Sequence, residues 1–314
     1  MTNFLFSLNV VAPLFVIMTA GYLTRTSGFA NDSFFKQLNK IVFNLFLPVM
    51  LFQDIRTSYS GDFSDTKLIY SAIIGVVATI LVSFLIVPIL VKRKGRRGSI
   101  IQAVYRSNFL IYGLPIARGM YNDEAVATVS MLMCIVIPLY NVSAVIILSM
   151  FSETGKKVTF GKIMLDIARN PLILGCVFGL LGGITHVNLP NMLDIPLKQF
   201  ASVSAIMALF VMGGEFKFAS LRNNIVPVVL VTFARLIVVP VVILTVLVAI
   251  GFRDVQLAVL VSLFATPAAM ASYIMATNMG NDGQLANQIV VLSTACSCVT
   301  IFFIIYFLRS WGYL

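Results

Sequence analysis

Apolar residues along this chain gather into long runs that short polar stretches separate. Counted as helices, the runs cover 4–24, 34–53, 67–91, 99–121, 124–151, 168–185, 195–215, 224–250, 254–279 and 284–309. Most are about 20 residues or longer, enough to cross a lipid core as an α-helix. A transmembrane barrel would alternate apolar and polar positions over segments of about 10 residues. The pattern therefore predicts an all-α integral membrane protein with ten spans. The sixth run, NPLILGCVFGLLGGI, is the shortest and richest in glycine.

One run breaks its own pattern. Residues 106–119, RSNFLIYGLPIARG, place Arg106, Asn108, Gly113 and Pro115 where a membrane helix would carry Leu or Val. A proline removes a backbone donor and clashes with the preceding turn, and lipid offers no replacement partner. A second stretch, ATPAAMASYIMATNMG at 265–280, has the same character around Pro267. The two lie in the fourth and ninth spans. Five spans precede the basic loop at 152–167 and five follow it, so a duplicated half would be inverted. Lys36-Gln37 and Met50 recur as Lys198-Gln199 and Met212. Val87-Pro88 precedes Pro115 by the interval that separates Val239-Pro240 from Pro267. Such internal symmetry marks transporter repeats. The expectation is two repeats, 1–151 and 168–314, joined by a short cytoplasmic linker at 152–167. Broken helices 4 and 9 would cross at mid-membrane, with Pro115 and Pro267 as equivalent break points. A plain kink is the competing account of either proline.

Composition agrees: 59% of the 314 residues are hydrophobic and 11% charged, with a mean hydropathy of +0.98, where a soluble domain carries about 25% charged residues. The net charge of +10 does not point to nucleic acid, because the basic residues cluster between spans. Of 22 Lys and Arg, 14 lie in or beside the odd-numbered loops, with KRKGRR at 92–97 the densest group. The odd loops should be cytoplasmic and both termini outside. No basic residue precedes Arg25, so 4–24 reads as a retained first span rather than a cleaved signal. Cys134, Cys176, Cys296 and Cys298 lie in apolar runs as small core residues. The single histidine, His186, falls in a loop, so no metal site, cofactor or hydrolase triad is expected.

The set NLFLPVMLF, Asn108…Gly113-Leu114-Pro115, Asn170-Pro171 and ATPAAMASYIMA resembles the auxin efflux carrier family over essentially the whole chain. Bacterial members are described as malate- or malonate-type permeases, and plant members include the PIN auxin exporters. The resemblance implies a five-plus-five inverted repeat with crossed helices 4 and 9. It implies a scaffold from spans 1, 2, 6 and 7, a transport domain from the other six, and alternating access. The long hydrophilic central loop of many plant members is absent.

All twelve acidic residues lie in loops or at span ends, whereas Arg106 and Arg235 lie within spans. A charge at that depth is costly and usually functional. With positive half-helix ends, this favours a small organic anion, such as a carboxylate, as substrate of a secondary carrier. An auxin-like or amino-acid-derived substrate is the alternative, with a channel or receptor of the same fold behind it. Proton or sodium coupling and a homodimer remain open. Candidate binding residues are Asn44, Asn108, Tyr112, Gly113, Pro115, Arg235, Thr266, Pro267, Ser272 and Tyr273, with Asn141 weaker. Arg235 either serves the site or holds carbonyls that a broken helix exposes. Arg106, counted from Pro115, lies about 13 Å toward the cytoplasm and either snorkels or serves the site.

Overall fold

The computed structural model describes residues 2–58, 65–153, 161, 164–165, 168–169, 171–215 and 224–314. Asn170 and most of the 152–167 linker lie outside them. The regular secondary structure of the described residues is helical, apart from one isolated two-residue bridge. In chain order the helices are α1 (Thr2–Thr26), α2 (Asp32–Thr57), α3 (Thr66–Leu90), α4 (Lys94–Tyr105), α5 (Leu114–Phe151), α6 (Pro171–Ile184), α7 (Asn191–Glu215), α8 (Ile225–Ile250), α9 (Asp254–Phe264), α10 (Met270–Asn278) and α11 (Gly283–Ser310). Seven helical stretches are long and apolar enough to cross a membrane: α1, α2, α3, Thr128–Phe151 of α5, α7, α8 and α11. This is a multi-span membrane protein.

Among the described residues, three π-helical turns interrupt the regular winding, at Val42–Phe46, Phe109–Gly113 and Ala234–Val238. Each ends two residues before a proline: Pro48, Pro115 and Pro240. The proline ring would clash with the carbonyl four residues back. A wider turn makes room for it. In α2 a carbonyl at this turn is not left bare, because the Ser204 hydroxyl of α7 donates to the Phe46 carbonyl at 2.8 Å.

α5 is written as 38 residues yet is not straight. A Cβ on Gly113 would lie 3.5 Å from Cε of Met133. In a straight helix, 20 residues rise about 30 Å. The run therefore doubles back, which separates the expected fourth and fifth spans without a polar loop.

The helices form two packed groups. α1 lies on α7, and α2 on α6 and α7. The contact is backbone to backbone: a side chain at Gly21 would strike the Phe210 carbonyl, and one at Gly213 the Met18 carbonyl. Small residues at such crossings let helices approach closely where lipid supplies no hydrophobic drive. α3, α4, α5 and α8 to α11 pack on one another.

The connections gather at the two ends of α3, about 37 Å apart at 1.5 Å per residue. At its Leu90 end Arg93 pairs with Glu153, Arg96 pairs with Asp282 and donates to Asn224, and the Asp282 N–H donates to the Gly95 carbonyl. The Arg93 side chain and the Gly95 N–H hold the Glu153 carboxyl below its ordinary value. That contribution is present above the usual carboxylate range and is lost as pH falls through the lowered folded value. At the other end Gln256 donates to Asp65, Lys67 to the Ile250 carbonyl, and Arg253 stacks on Tyr313. Asn3 meets Arg309 and Ser310, so the first and last helices share an end.

Gly213→Val should force α1 from α7 and cost about 1–3 kcal/mol of stability. The check is the thermal unfolding midpoint in detergent, which should fall below the parent's.

Candidate functional site at the helix crossing

α4 stops at Tyr105 and α9 at Phe264, and the two extended segments that follow meet. The Asn108 N–H donates to the Pro267 carbonyl at 2.8 Å, and the Ala269 N–H donates to the Arg106 carbonyl at 3.0 Å. Ser107 faces Ala268 between them as a single antiparallel bridge. The two bonds exchange under a two-fold rotation that matches Arg106 with Pro267, Ser107 with Ala268 and Asn108 with Ala269. Backbone groups freed by breaking both helices thus satisfy one another, as a membrane interior demands.

The expected crossing is present, but its register differs from the proline reading. The bridge pairs residues 161 apart. Lys36/Lys198 and Met50/Met212 are 162 apart, in near agreement, whereas Pro115 and Pro267 are 152 apart. Pro267 sits in the crossing. Pro115 lies at the start of α5, directly after the π-helical turn that makes room for its ring. Pro115 lies outside the crossing, and the residue that the paired hydrogen bonds match with Pro267 is Arg106.

Arg235 is 1% exposed. Its Nε and Nη2 donate to the Thr266 carbonyl at 3.0 and 2.7 Å, and its Nη1 to the Val104 carbonyl at 3.1 Å. Both carbonyls belong to the ends of broken helices. The guanidinium staples the crossing from the α8 side.

On the other side of the crossing lies an open cleft. Asn39, Val42, Phe43 and Leu47 of α2 line it, with Leu172 of α6 and Ala208 and Val211 of α7. Residues 106–111, Ile137, Tyr140 and Asn141 of α5, and residues 269–271 complete the wall. Arg106 is the one charged residue among these. It is 7% exposed. Its Nη2 donates to Oδ1 of Asn141 at 2.7 Å and its Nη1 to Sδ of Met275 at 3.0 Å. No carboxylate among the described residues pairs with it. Nδ2 of Asn141 is buried without a partner. The Ser107 and Tyr140 hydroxyls share a hydrogen bond at 3.0 Å, and Nδ2 of Asn108 lies 3.9 Å from Sδ of Met212. The arrangement offers donors and a positive charge in an apolar chamber.

Residues 6–305 match the family described as Membrane transport protein. The chain belongs to that family. An uncharacterized transporter of Methanothermobacter thermautotrophicus is 21% identical, over 95% of this chain and 97% of that protein. The likeness to auxin efflux carriers read from the span motifs therefore holds at the level of this transporter family, which is not a family of enzymes.

In this transporter the cleft gathers Asn108 and the weaker candidate Asn141 of the expected binding residues. Pro267 and Thr266 are buried in the crossing, where the Thr266 carbonyl faces Arg235. Tyr112 is buried against α1, its hydroxyl donating to Sδ of Met18 at 3.0 Å. Gly113 packs on the Phe109 ring and Pro115 is half-buried behind the cleft. Ser272 is buried with an unpartnered hydroxyl, outside the cleft lining. Tyr273 and Asn44 are exposed, and the Asn44 amide donates to the Lys40 carbonyl at 2.8 Å. Arg235 lies away from the cleft, whereas Arg106 and Asn141 form its polar end. Asn39, Ser107 and Tyr140 were not anticipated: Asn39 lies in the polar stretch KQLNK, Ser107 between Arg106 and Asn108, and Tyr140 beside Asn141, so nothing in the sequence singles them out.

The two arginines should answer mutation with opposite signs. Arg235→Gln leaves the carbonyls of Thr266 and Val104 short of donors, at about 1–3 kcal/mol each, and should lower the thermal midpoint. Arg106→Gln removes a buried charge that no carboxylate balances and should leave the midpoint unchanged or raise it.

Proposed function

We propose that this protein is a secondary carrier for an organic anion and that the carboxylate binds Arg106 in the cleft. One observation carries the reading: the cleft's single charged side chain is a buried arginine without an acidic partner among the described residues. An uncompensated charge in a low-dielectric site is costly, and an anion from the medium offsets it. The Asn141 amide, the Ser107–Tyr140 hydroxyl pair and the Asn108 amide supply further donors. Apart from Asn39, whose amide donates to the Glu215 carboxylate at 3.1 Å, the remaining lining is Val, Phe, Leu, Ile, Met and Ala. Such walls suit one carboxylate on an apolar body better than a small dicarboxylate such as malate, whose second charge would find no partner there.

The membrane arrangement we favour is ten passages as two inverted repeats of five, with α1, α2, α6 and α7 as scaffold and the rest moving against it. Three facts support it. The crossing has two-fold hydrogen bonding, the connections fall into two sets at opposite ends of α3, and glycine contacts bind the scaffold helices closely. Lys92, Arg93, Lys94, Arg96 and Arg97 lie at the Leu90 end of α3. By the positive-inside rule that end is cytoplasmic. Lys94→Cys should then resist an impermeant thiol reagent in intact cells while Tyr313→Cys is labelled; the reverse result inverts the orientation.

The substrate reading is tested with purified protein in detergent, titrated with acetate, benzoate and malate. A ligand that binds only the folded form raises its midpoint. Benzoate should raise it more than malate at equal concentration, and Arg106→Gln should abolish the shift and benzoate uptake into proteoliposomes. A parent-sized shift in Arg106→Gln would refute the role given to Arg106.

A further inference from the structure

Five donors around the crossing reach methionine sulfur, the Asn39 amide at 3.8 Å from Sδ of Met270 among them. Arg106 Nη1 lies 3.0 Å from Sδ of Met275, and Nε2 of Gln102 lies 3.7 Å from the same atom. Nδ2 of Asn108 lies 3.9 Å from Sδ of Met212, and the Tyr112 hydroxyl 3.0 Å from Sδ of Met18. A thioether is a weak acceptor, and a buried guanidinium is demanding. Other buried polar groups of this protein find oxygen: Arg235 takes two carbonyls, and Ser204 takes that of Phe46. Arg106 takes one amide oxygen and one sulfur.

We infer that Met275 is an affinity-setting residue: its sulfur is the resting occupant of Arg106 Nη1, and a substrate carboxylate oxygen displaces it. This rests on the anion reading of the cleft and adds a competitor to it. Asn141 fixes the Nη2 end, so the fork is already aimed. Only the Nη1 end must exchange its acceptor. Met275 sits on α10, one turn past Ala271 at the cleft wall, and its unbranched side chain has three torsions with which to withdraw. When Arg106 leaves it, the sulfur keeps the Gln102 amide. The weak contact shields the guanidinium in the empty carrier without holding it against the substrate. A strong acceptor in its place would occupy the site from within.

Two substitutions of similar volume separate this role from packing. Met275→Leu removes the acceptor and keeps the bulk. Met275→Gln replaces sulfur with an amide oxygen, a stronger acceptor. The measurement is the benzoate dissociation constant of the full-length protein in detergent, by calorimetric titration, beside Arg106→Gln. Met275→Leu should bind benzoate about three- to tenfold more tightly and Met275→Gln about tenfold more weakly, where tenfold is 1.4 kcal/mol. A gain in Met275→Leu cannot come from a folding defect, so that variant alone decides the sign if Met275→Gln fails to fold. If both variants bind as the parent does, or both shift the same way, Met275 does not compete and the inference falls. If benzoate is then still lost in Arg106→Gln, the anion reading stands without it. If Arg106→Gln binds as the parent does, both fall together.

Discussion

The structure depends on one exchange of backbone hydrogen bonds. Two helices break inside an apolar bundle, and each break frees carbonyl and N–H groups that lipid cannot satisfy. The bonds from Asn108 to Pro267 and from Ala269 to Arg106 close that deficit. The guanidinium of Arg235 covers what they leave, at the carbonyls of Val104 and Thr266. Once the broken segments are held, their polar side chains face a common chamber. The cleft follows from solving the backbone problem and needs no dedicated loop.

The two arginines divide the electrostatics. Arg235 spends all three of its bonded nitrogens on the protein's own oxygens and presents nothing to the cleft. Arg106 is held by neutral, weaker partners, and its charge stays available. Both sit in an apolar interior at similar burial. What they touch, rather than how deep they lie, closes Arg235 on the protein's own backbone and leaves Arg106 open to the recognition role proposed for it.

Much of the fold was legible from hydrophobic run lengths, because lipid imposes a minimum span on every crossing. The pairing of the fourth and ninth runs was legible too, since both carry small and polar residues at depth. The register was not. Proline marks a missing donor, but Arg106, Ser107 and Asn108 break α4 with no proline, while Pro115 is absorbed by a π-helical turn. Depth measured from Pro115 then put Arg106 too far from the centre and left Arg235 as the apparent binding charge. The cleft side chains of Asn39, Tyr140 and Asn141 come from helices far apart in sequence. Only the doubling back of α5 and its packing bring them to one wall.

The π-helical turns have a consequence for how this chain can vary in length. Each carries one residue more than the α-helix around it requires, and a residue sets about 100° of rotational phase. Deleting one residue from Ala234–Val238 would restore regular winding and rotate the rest of α8 relative to Arg235 by that angle. The same deletion in Phe109–Gly113 would turn the face that α5 shows to the crossing. These turns act as phase shifters: they let a helix obey its proline on one side and its packing partner on the other. Length changes should be tolerated poorly at these three places, although the turns look like local irregularities.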